Sequence, residues 1–114
     1  MGDEPMELVK GTLDVLILRT LAREPMHGYG VSRWIRERTG GTLAVQDAAL
    51  YQALRRLESR GWVEAEWGVT ETNRRARYYA LTAAGRERLR SESAAWRRYA
   101  AAVSRVLEPL PGEV

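Results

Sequence analysis

The chain has 114 residues, a formal net charge of +3, no cysteine and a single histidine. That length supports one domain with a modest core, and a chain this small gains from a partner subunit. Without cysteine there are no disulfides, thiolate nucleophiles or thiolate metal sites, and His27 alone cannot build a histidine metal centre, so neither metal nor other cofactor is expected. No apolar run approaches the roughly 20 residues that span a bilayer. Asp3 and Glu4 ahead of Leu8 break the basic-then-apolar order of a signal peptide, so a cytoplasmic protein without a membrane partner is expected.

The first helix is predicted from about Gly11 to Arg23, with Leu13, Leu16, Ile17 and Leu21 on one stripe. Pro25 stops it, because proline lacks the amide donor and disfavours helix in the residue before it. A second helix runs from about Gly28 to Thr39, with Val31, Trp34, Ile35 and Arg38 sharing a face, and ends at Gly40-Gly41. Leu43 to Val45 is β-prone but too short to stand alone. The third helix starts near Gln46 or Asp47 and stops at Gly61.

The third helix has two faces. At 100° per residue, Leu50, Ala53, Leu54, Leu57 and Gly61 fall in one apolar sector. Ala48, Gln52, Arg55 and Ser59 lie opposite, flanked by Tyr51 and Arg56. Such a face suits the major groove of double-stranded DNA. Gln52 can pair bidentately with adenine, Arg55 with guanine O6 and N7, and Ala48 can approach a thymine methyl. An ordinary solvated helix surface would look the same in isolation. The elements around the helix favour the DNA reading.

After Gly61, Val63, Ala65 and Trp67 alternate with Glu64 and Glu66, and Arg75 to Leu81 forms a second, tyrosine-rich strand. The segment from Gly68 to Arg74 between them reads as a turn too long for a tight hairpin. Asn73, Arg74, Arg75 and Arg77 make it basic and suit a phosphate row or a minor groove, with Glu71 opposing them. All but one of the 18 basic residues are arginine, so part of this clustering is the composition of the surface.

From Thr82, an N-cap residue, the chain reads as one long helix ended by Pro109 and Pro111. Leu89, Ser93, Trp96, Ala100, Val103 and Leu107 recur in a heptad-like seam. A lone helix would leave its large apolar side chains in water, at about 1.5–3 kcal/mol each. Pairing with the same helix of a second copy removes that cost, so a homodimer is expected. The fold class is mainly α with a small β-hairpin: a winged helix-turn-helix over 1–81, a dimerisation helix over 82–108, and a tail over 109–114.

These residues resemble the PadR family of transcriptional regulators. The segments that carry the likeness are Gly11-Thr12-Leu13-Asp14-x-Leu16-Ile17-Leu18, Pro25-Met26-His27-Gly28-Tyr29, Leu50-Tyr51-x-Ala53-Leu54-x-x-Leu57-Glu58, and Arg74-Arg75-x-Arg77-Tyr78-Tyr79-x-Leu81-Thr82-x-Ala84-Gly85. The resemblance implies a winged helix-turn-helix with a C-terminal dimerisation helix, usually acting as a repressor. It implies that His27-Gly28-Tyr29 sets the start of the second helix, with Tyr29 in reach of a phosphate. Two departures, Ala48-Ala49 where the family commonly has Gly-Thr and Gln52 where it has proline, fall on the base-reading face. They bear on the operator sequence rather than on the fold.

Some members of the family bind planar aromatic compounds between tryptophans at the dimer interface, which makes Trp96 a candidate for a small aromatic effector. The simpler reading has Trp96 filling the dimer core. Trp34, Trp62 and Trp67 read as core or strand packing residues. Two other classes of function fit these residues less well. A protein-interaction module would need an apolar outward face on the third helix, which Ala48, Gln52, Arg55 and Ser59 do not supply. An enzyme would need a phosphate loop, a metal-ligand set or a nucleophile with its base, and His27 has no such companions.

Overall fold

A computed structural model describes Met6, Leu8, Val9 and residues 11–113; Asp3 and Glu4, on which the leader reading rests, lie outside the described residues. The elements in chain order are α1 (Thr12–Leu21), β1 (Met26–His27), α2 (Gly28–Arg38), α3 (Asp47–Ser59), β2 (Val63–Val69), β3 (Arg75–Leu81) and α4 (Ala83–Leu107). The four predicted helices and two predicted strands are all present, with helix ends shifted by a residue or two.

The core lies where α1, α2 and α3 meet the inner face of the sheet. Ile17, Leu18 and Leu21 of α1 pack with Val31 and Ile35 of α2, with Leu50, Ala53, Leu54 and Leu57 of α3, and with Val63 and Tyr79 of the sheet. The α1 stripe is broader than its spacing suggests, because α1 touches α2, α3, α4 and β3. Val15, Leu18 and Thr20 are therefore buried too, whereas Leu13 and Leu16 are only half-buried. Buried Thr20 satisfies its hydroxyl by donating to the Leu16 carbonyl at 2.7 Å.

The sheet has three antiparallel strands in the order β1-β3-β2. β1 was not foreseen. It contributes two residues, Met26 opposite Tyr79 and His27 opposite Tyr78, too few to carry any periodicity. β2 pairs with β3 from Val63↔Leu81 to Val69↔Arg75 and so runs past Trp67. The expected long turn shrinks to Thr70–Arg74, and hydrogen bonds tie it. Thr70 N donates to Arg74 O at 2.8 Å, Arg74 N to the Thr70 hydroxyl at 3.1 Å, and Asn73 takes a left-handed φ of 64°. Leu43 is not free-standing either; it bridges Met6 in parallel.

One hydroxyl joins the wing base to α4. Thr82 Oγ1 accepts from Gly85 N at 3.0 Å, capping the helix, and donates to Gly61 O at 2.7 Å, while Thr82 N donates to Trp62 O at 3.1 Å. Gly85, the one buried residue of α4, lies so close to the Trp62 backbone that an added Cβ would overlap the Trp62 carbonyl. The Trp62 ring is flanked by Arg60 at 5.4 Å and Arg88 at 4.5 Å. Beyond Leu89, which rests against the core, α4 projects away from it. Gly85→Ala is expected to destabilise the fold by about 2 kcal/mol. Denaturant unfolding against the wild type at equal protein concentration measures it.

Candidate nucleic-acid interface

With Leu50, Ala53, Leu54 and Leu57 fully buried, the remaining positions of α3 must face outward. Ala48, Tyr51, Gln52, Arg55, Arg56 and Ser59 are all exposed, as the 100° spacing required. Their engagements differ. Arg56 turns back to α1, its Nη2 2.5 Å from Asp14 Oδ1, and hydrogen bonding to that carboxylate holds the guanidinium above its ordinary pKa. No ion pair among the described residues engages Arg55, Arg74 or Arg75. Gln52, Arg55, Arg56 and Ser59 line a shallow depression on the outer side of the helix.

In the wing, sequence proximity hides a division of labour. Arg77 Nη2 donates to Glu58 Oε2 of α3 at 3.0 Å, with its guanidinium 5.8 Å from the Tyr79 ring centroid. It ties the wing to the helix instead of projecting from the tip. Tyr79 is buried beneath it, and that burial pushes its hydroxyl above the usual tyrosine pKa. Asn73, Arg74 and Arg75 are exposed at the tip. Trp67 departs from expectation. It shares the inner face of β2 with Val63 and Ala65, but the core ends below it and leaves it 60 % exposed.

The start of α2 completes the site. His27 caps the helix through Nδ1, which accepts from Gly30 N at 3.0 Å. Its ring lies 6.3 Å from Tyr29 and edge-on to Tyr78 at 5.3 Å. A Cβ at Gly28 would come within 2.7 Å of the Tyr51 ring and hydroxyl, so glycine lets α3 press against the α2 terminus. Tyr29 remains exposed beside them.

Between α2, α3 and the wing lies an open groove of about 1220 Å³, lined by Tyr29, Tyr51, Arg55, Arg74, Arg75 and Arg77 among others. Six of the ten expected DNA-contact residues thus meet along one groove. Gln52 and Arg56 lie on the outer side of α3, Ala48 near its start, and Asn73 at the wing tip. Across the groove Arg33 is held above its ordinary pKa, chiefly by Glu37 at 2.9 Å, with Glu71 of the wing tip adding to it. Sequence reasoning missed Trp67 and the tying role of Arg77. Alternation put Trp67 on one face with Val63 and Ala65 but could not show where the core stops, and the basic cluster gave no sign that Arg77 turns to Glu58.

The expected dimerisation residues divide in the same way. Leu89 packs on the core and Ala100 is half-buried, whereas Trp96, Val103 and Leu107 are 40 %, 38 % and 75 % exposed. Trp96 meets Tyr99 edge-on at 6.4 Å. Among the described residues no helix is long and apolar enough to cross a membrane.

A three-helix core that turns a polar, arginine-bearing helix face outward beside a basic hairpin is a winged helix-turn-helix with a long C-terminal helix. Residues 17–91 match the Transcriptional regulator PadR-like family. A curated but uncharacterised protein of Lysinibacillus sphaericus is 31 % identical over 80 residues, 70 % of this chain and 73 % of that one. Among solved structures, a transcriptional regulator from Clostridium thermocellum superposes with a TM-score of 0.79 at 27 % identity, covering 87 % of this chain and 93 % of the other. A PadR family transcriptional regulator from Eggerthella lenta gives 0.74 at 32 % identity, covering 89 % and 86 %. One from Clostridium difficile gives 0.74 at 26 %, covering 86 % and 100 %. The chain belongs to the PadR-like family of transcriptional regulators, a family of regulators rather than enzymes.

Proposed function

We propose that the protein is a sequence-specific DNA-binding repressor that acts as a homodimer on a two-fold symmetric operator. The observation that carries this reading is the outward face of α3, where no ion pair among the described residues engages Arg55 while the neighbouring Arg56 is held by Asp14. A guanidinium without a carboxylate keeps its fork of donors for a guanine edge. Gln52 lies one residue-turn away on the same face and suits adenine. The tip arginines Arg74 and Arg75 supply the sequence-independent phosphate contacts that position such a helix.

Dimerisation is supported by the seam of α4, where Trp96, Val103 and Leu107 remain exposed beyond the core among the described residues. Two copies related by a two-fold axis would set their α3 helices in successive major grooves about one helical turn apart. Repression is the outcome that the family resemblance implies.

Arg55→Ala is expected to weaken binding to a cognate duplex more than to random DNA. Arg74→Ala should weaken both equally and lower the salt slope by about one. Fluorescence anisotropy over a salt series checks both, and equal losses on both duplexes for Arg55→Ala would remove Arg55 from the base-reading set. Val103→Glu, which puts a charge into the seam, is expected to convert the dimer to monomer in sedimentation velocity while leaving the helical content of each chain intact.

A further inference from the structure

We propose that Trp67 is a positioning residue of the wing, holding the Arg75 guanidinium stacked on its indole so that Arg75 meets a DNA phosphodiester pre-oriented. The inference rests on the DNA-binding reading above and adds to it a residue whose exposure the core does not explain.

The strand register brings the pair together. Trp67 faces Arg77 and Val69 faces Arg75, so Trp67 and Arg75 are diagonal neighbours on the inner face of the wing. Arg77, the direct cross-strand partner, is committed to Glu58. The exposed indole takes Arg75 instead, with the guanidinium carbon 4.6 Å from the ring centroid, inside the range of a cation–π contact. Glu64 and Glu66 alternate onto the opposite face, and no ion pair among the described residues engages Arg75. Stacking occupies the flat face of a guanidinium and leaves the N–H edge free for bidentate contact with phosphate oxygens.

The platform is braced from behind. Gly68 has no side chain, and a Cβ there would come within 2.7 Å of the Tyr78 ring, which lies against the strand. The Tyr78 hydroxyl donates to Val69 O at 3.2 Å. Together with the hydrogen-bonded Thr70–Arg74 turn, this fixes the backbone that carries both residues. An arginine free in solvent loses rotamer freedom when it docks, and one already stacked loses less.

The test is binding of the full chain to a mixed-sequence DNA duplex by fluorescence anisotropy across a salt series. The proteins compared are the wild type, W67A, W67F, R75A and the W67A/R75A double variant. R75A is expected to lower the salt slope by about 0.9. W67A should weaken binding roughly three-fold, the scale of an exposed cation–π contact. W67F should retain most of the affinity, and the double variant should bind like R75A alone, since Trp67 acts only through Arg75. Equal losses from W67A with and without Arg75, or no loss from W67A, would overturn the proposal. So would a loss of thermal stability in W67A that tracks the affinity and is not restored by W67F. Absence of salt-dependent binding by the wild type would overturn the DNA-binding reading itself, and the positioning role with it.

Discussion

Everything at the interface depends on the rotation of α3 about its own axis, and burial of one apolar face sets that rotation. Leu50, Ala53, Leu54 and Leu57 are sealed against Ile17, Leu18, Leu21, Val31 and Ile35. Turning the helix by one residue would bring out large apolar side chains at about 1.5–3 kcal/mol each. It would also push Tyr51 or Gln52 inward, where an unpartnered polar group costs about 1–3 kcal/mol more. Against a net stability of roughly 5–15 kcal/mol for a domain, no such alternative is populated. The outward presentation of Gln52 and Arg55 is thus a consequence of the core.

The wing inherits its position from the same helix. Arg77 reaches Glu58 of α3, and Gly28 lets Tyr51 lie against the start of α2, so the hairpin, α3 and α2 share one frame. At the other end of the hairpin, Thr82 bonds Gly61 and Trp62 while capping α4. The helix expected to set dimer geometry therefore begins on Gly61 and Trp62, which follow the end of α3. In a two-fold dimer this short connection would convert the spacing of the α4 pair into a spacing of the two α3 helices with little slack.

Legibility in the sequence followed the range of the interactions involved. The four helices declared themselves through apolar spacing, and a glycine or proline follows each end, two residues on for α2, α3 and α4 and four for α1. Strand β1 did not, because two residues have no period and its pairing with β3 joins positions far apart in the chain. The turn is shorter than the Gly68-to-Arg74 segment suggests, since its closure at Thr70–Arg74 depends on a threonine hydroxyl and a left-handed Asn73. Among the arginines, composition could not separate those engaged by Asp14 and Glu58 from those that no ion pair among the described residues engages. Trp67 reads as a core or strand packing residue because alternation reports a face and not the depth of burial along it.

In the proposed mode of action α3 reads bases, and two copies do so symmetrically. Selection of bound sequences from a random DNA library, carried out at two salt concentrations, tests it most directly. Enrichment of a two-fold symmetric motif, with half-sites about one helical turn apart and persisting at the higher salt, is the predicted result. Weak binding with no enriched motif at either salt would contradict it, leaving the wing arginines as a non-specific charge and α3 without a base-reading role.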